Sequence, residues 1–123
     1  MTIQECYDAM GGDYQDVLAR LRSAERIQRF LYKILEDKSF DTLTKAMAAR
    51  EYEEAFRAAH TLKGISLNLS MTRLYDSSNE LTEALRGQPQ AEQAEALLKR
   101  VQEDYALAVS SIAALKADSP SRL

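Results

Sequence analysis

The stretch Arg50-Glu-Tyr-Glu-Glu-Ala-Phe-Arg-Ala-Ala-His60-Thr-Leu-Lys-Gly-Ile-Ser-Leu-Asn-Leu69 spaces its apolar residues with the period of an α-helix. At about 100° per residue, Ala55, Ala58, Ala59, Leu62, Ile65 and Leu69 fall on one side, which predicts a helix over 51–69 with that side inward. His60 lies about 160° from Leu62 on the same wheel, so its ring is predicted to face solvent. It is the one histidine of the chain.

The same period extends in both directions. Val17, Leu18 and Leu21 make a short stripe behind Asp13, a suitable N-cap, and Gly11-Gly12 separates it from the N-terminal segment. Ser23 can cap a helix over 24–37 whose Ile27, Phe30, Leu31, Ile34 and Leu35 point inward. A short helix from about Asp41 carries Leu43, Ala46 and Met47. Beyond the histidine segment, helices are predicted over 71–86, with Leu74, Tyr75, Ser78, Leu81 and Leu85, and over 91–116. Gly87 supplies the stop between them. No run alternates as a strand would. Short connections make helical neighbours antiparallel, so the expected fold is all-α: an up-and-down antiparallel four-helix bundle of 24–37, 51–69, 71–86 and 91–116, with short additional N-terminal helices. Residues 1–118 are expected to form one domain and 119–123 a frayed polar tail.

Composition narrows the function. The chain has 123 residues, enough for one buried core, with 16 Lys+Arg against 19 Asp+Glu and a net charge of −3. Mild acidity without a basic face argues against nucleic-acid binding. No apolar run is long enough to span a membrane and no secretion signal opens the chain, which predicts a cytoplasmic protein. One cysteine and one histidine cannot supply the ligands of a zinc site. Four glycines form no phosphate-cradling loop, and nothing accompanies His60 as a catalytic triad would. No cofactor, no metal and no self-sufficient enzyme are expected. A four-helix core of this size needs no second chain, so a monomer is expected.

What remains is the outward face around His60. Arg57 and Lys63 sit about 60° to either side of it, and two cations beside one imidazole favour an anion attached to that ring. A glycine inside a helix costs roughly 1 kcal/mol relative to alanine, so Gly64 asks for a reason. Helical side chains lean toward the N-terminus, and a side chain at 64 would lie over residue 60. Glycine leaves the ring open to a close approach. Phe56 and Leu67, both within about 40° of the His60 direction, add an apolar collar suited to docking.

Ala58-Ala59-His60-Thr61-Leu62-Lys63-Gly64, followed by Asn68-Leu69, resembles the signature of histidine-containing phosphotransfer (HPt) domains. The Gly12-Asp13 start, the helix order and the size extend the resemblance over most of the chain. It implies a helical bundle in which His60 accepts a phosphoryl group on Nε2 from the aspartyl phosphate of a response-regulator receiver, or from a kinase, and passes it to another receiver. Lys63 would assist the phosphoryl charge and Gly64 would permit docking. The receiver would supply magnesium and the catalytic groups, and the HPt domain only the nucleophile. Family members often carry small residues, glycine among them, at the positions of Ile65, Leu67 and Ser70, so Leu67 is expected to tune the range of partners. Two other functions compete: a helical adaptor that binds and sequesters a receiver through the same face without taking phosphate, and a kinase's substrate domain detached from its catalytic core.

Overall fold

A computed structural model describes residues 1–118. The tail at 119–123 lies outside the described residues. Seven helices follow one another among the described residues: α1 (Ile3–Met10), α2 (Tyr14–Leu21), α3 (Ala24–Ile34), α4 (Ser39–Ala48), α5 (Tyr52–Asn68), α6 (Thr72–Leu85) and α7 (Ala91–Asp118).

Local chemistry sets the early boundaries. The side chain of Thr2 accepts from the Glu5 amide while Glu5 reaches back to the Thr2 amide, a reciprocal cap that starts α1. Asp13 and Ser23 cap α2 and α3 as their positions in the sequence predict. Gly11 ends α1 at φ 73°, a conformation only glycine takes without strain. That corner is crowded: a Cβ on Gly12 would lie 2.7 Å from the Tyr7 ring and 3.0 Å from the Ser70 carbonyl.

The fold is an all-helical bundle, and α4, α5, α6 and α7 pack side by side in that order. The helix predicted over 24–37 stops at Ile34, and α4 is the element that lies along α5. Tyr32 of α3 sits under Lys116 near the end of α7, while Phe40 of α4 stacks on Tyr105 further back, centroids 4.2 Å apart. Thus α3 packs on α7 while α4 packs on α5 and reaches α7 through Phe40, so the two follow in series and together fill the fourth place of the bundle. Helix α1 packs on α7, and α2 lies at the C-terminal end of α5.

The seam between α5 and α6 is built of small residues. Ala55, Ala58, Ala59 and Ser66 on α5 and Ser77 and Ser78 on α6 are all buried. Ser66 and Ser78 return their hydroxyls to the carbonyls of Leu62 and Leu74 at 2.8 and 2.7 Å, and their oxygens approach to 3.5 Å. Buried hydroxyls satisfied within their own helices cost little, and their small volume lets the two backbones come close. Behind the seam, Arg73 of α6 donates to the buried carboxylate of Asp104 on α7 at 2.7 Å. That bond ties the start of α6 to the middle of α7.

Candidate functional site

Helix α5 carries the site. Its inward stripe is fully buried at Ala55, Ala59 and Leu62, which turns the opposite face outward and leaves His60 exposed. A helix ending without a basic residue leaves its carbonyl end uncompensated. Arg20 of α2 meets this need from outside, donating to the carbonyls of Leu67 and Asn68, each at 2.8 Å. Asp16 in turn holds Arg20 at 2.9 Å and accepts from the Ser70 hydroxyl at 2.6 Å. Ser70 sits at φ 53°, the left-handed region, where glycine would be at ease. This position is one of those where the resemblance leads one to expect a small residue.

The residues singled out in the sequence occupy one surface but differ in their engagements. The rings of Phe56 and His60 are tilted at 48° with centroids 6.0 Å apart. Phe56 is half-buried and also touches the core, so it is less a free collar than a wall of the site. Arg57 is drawn toward the N-terminus of α5 by Glu53, at 3.2 Å, instead of leaning over the imidazole. Lys63 is half-buried one turn after the histidine and takes part in none of the ion pairs formed among the described residues. A Cβ built on Gly64 meets nothing within 4 Å. The space there is open, and only a longer side chain could intrude on an approaching partner. Leu67 is 49% exposed, one of the largest apolar exposures of the molecule.

Three residues that matter here were not found in the sequence. Glu83 and Arg86 of the α6 C-terminus face this surface: Arg86 donates twice to the Glu83 carboxylate, at 3.3 and 3.0 Å, and its guanidinium lies 5.0 Å from the Phe56 ring centroid. The Arg86 hydrogen bonds hold the Glu83 carboxyl below the usual carboxylate range, with smaller pulls from Lys63 and His60. The third is Phe30, which the spacing of α3 placed inward. It is 39% exposed, because it lies about 70° off the centre of the stripe formed by Ile27, Leu31 and Ile34. With Leu21, Ile65 and Leu69 it lines an apolar cleft of about 440 Å³ beside the end of α5, rimmed by Arg20 and Lys33. Ile65, also placed in the core by its spacing, is half-buried on this cleft.

A family model described as Hpt domain matches residues 15–116. The chain belongs to the Hpt domain family. No curated protein and no solved structure gives a match of its own. Hpt domains are phosphocarrier modules of two-component signalling that interact with receiver domains and kinases, and this Hpt domain takes a phosphotransfer role. Among the described residues of the Hpt domain, no group of three His, Cys, Asp or Glu side chains is arranged to hold a metal ion. Among the same described residues, no helix is long and apolar enough to cross a membrane.

Proposed function

We propose that this Hpt domain, acting as one unit over residues 1–118, is a phosphorelay intermediate with His60 as its phosphoacceptor. The observation that carries the reading is an exposed imidazole on a rigid helix, with open space over Gly64 and a cation at Lys63 one turn on. The lone pair of Nε2 forms a P–N bond to the phosphoryl group of a receiver's aspartyl phosphate. The P–O bond breaks and its electrons return to the receiver carboxylate. Onward transfer reverses these roles with a second receiver. Lys63 balances the added negative charge. Phe56, Leu67 and the cleft beside Phe30 offer apolar surface to the docking partner, and Arg57 lends charge at the edge. The catalytic groups come from the receiver, so the domain is a carrier and not an enzyme, and it works as a monomer in the cytoplasm.

The test mixes the purified protein with phosphorylated receivers from its own source and measures acid-labile, base-stable phosphate on it. Label on the wild type that is lost in His60→Gln supports the relay. Tight receiver binding with no label on either protein overturns it in favour of the adaptor.

A further inference from the structure

Glu83 is unusual company for a phosphoacceptor. An anion beside a phosphoryl group raises the free energy of the phosphorylated state, and the two compete for any cation within reach. Here the cations are Lys63, which is in no ion pair among the described residues, and Arg86. The Arg86 guanidinium is divided between the Glu83 carboxylate and the Phe56 ring, and Phe56 stands directly against His60. Of the other charges nearby, Arg57 is engaged by Glu53 on α5 and Glu80 by Arg100 across α6 and α7, while Lys63 pulls on Glu83 as well.

We infer that Glu83, by holding Arg86 back from His60, sets how firmly the imidazole retains a phosphoryl group and biases that group onward to the receiver. The inference rests on His60 being the phosphoacceptor. With the ring unmodified, Arg86 and Glu83 satisfy one another. Once the ring carries a phosphoryl dianion, Arg86 is drawn to two anions and Glu83 repels one of them. The charge of Glu83 therefore weighs against the phosphorylated form, whereas it weakly attracts the unmodified protonated ring.

The experiment loads His60 with phosphoramidate, which phosphorylates an exposed histidine without any protein partner, and follows the phosphoryl group by ³¹P NMR against pH. Glu83→Gln is expected to lower the midpoint of its second ionisation by about half a unit, and Arg86→Gln to raise it by a similar amount. Glu83→Asp should restore the wild-type midpoint, and the spread should collapse in about 0.5 M salt. At equilibrium with a phosphorylated receiver, Glu83→Gln should retain about three to five times more phosphoryl group than the wild type. A pair that only fastens the end of α6 would weaken folding in both variants and leave both midpoints in place. Unchanged midpoints, or shifts of the same sign, overturn the inference. If the midpoints move apart while no receiver labels the wild type, the relay reading fails and the electrostatic role of Glu83 stands.

Discussion

The hydroxyl of Tyr7 donates to the carbonyl of Leu69 at 2.7 Å, joining residues 62 positions apart. This bond is buried and ties α1 to the residue that closes the histidine-bearing helix. Around it, the Asp13 amide donates to the Ser70 carbonyl at 2.8 Å and the Arg73 amide to the Gly11 carbonyl at 3.0 Å. The glycine corner and the end of α5 are thus one hydrogen-bonded knot.

Tyr7→Phe keeps the ring and removes only the donor, leaving a buried carbonyl short of its partner. It should destabilise the protein by about 1–2 kcal/mol, read as a lower midpoint in urea with an unchanged slope. Label transfer to His60 under folding conditions should stay normal, because the site surface is untouched. A midpoint equal to that of the wild type would show that the bond contributes nothing.

Gly64 separates two effects of side-chain size. A single Cβ there meets nothing within 4 Å, so Gly64→Ala should raise stability by about 1 kcal/mol through helix propensity and leave transfer close to normal. Gly64→Gln should fold equally well, yet its longer chain reaches over His60 and slows transfer from a phosphorylated receiver by about tenfold or more. Circular dichroism and single-turnover transfer rates on both variants decide the matter. Equal transfer rates in all three proteins would mean that clearance above the ring is irrelevant.

Cys6 makes an alkaline prediction. Complete burial pushes its thiol from the ordinary 9.0 up to about 11. The unfolded chain therefore releases this proton first, and stability present below pH 9 declines as pH rises toward about 11, by about 2 kcal/mol. Tyr7, also raised chiefly by burial, continues the decline at higher pH. Urea unfolding of wild type and Cys6→Ala at a series of pH values should show a shallower fall between 9 and 11 in the variant. The native thiol should also resist alkylation at pH 8 and react once urea exposes it. Rapid labelling of the native protein would contradict its burial.

The parts of the molecule that depend on one helix at a time could be read in the sequence. Asp13 and Ser23 cap helices because their side chains answer amides three residues on. The inward stripe of α5 follows from spacing alone, and it fixes the outward direction of His60. Phe30 shows where spacing stops being sufficient: a residue at the margin of a stripe goes in or out according to what stands opposite, here a cleft beside Ile65. Glu83 and Arg86 were hidden for a related reason. Their meeting with Phe56 depends on how α6 is rotated against α5, and the small residues of that seam decide the rotation. The series arrangement of α3 and α4 likewise depends on tertiary contacts with α7, such as Phe40 on Tyr105.

That seam of alanines and serines has a kinetic meaning as well. A seam of such small side chains gives the two backbones little room to reshape around a visitor, so docking at the proposed surface is expected to surrender little ordering entropy. Backbone adjustment in such an encounter is then expected to fall to the visiting protein, with this side contributing movements of side chains alone.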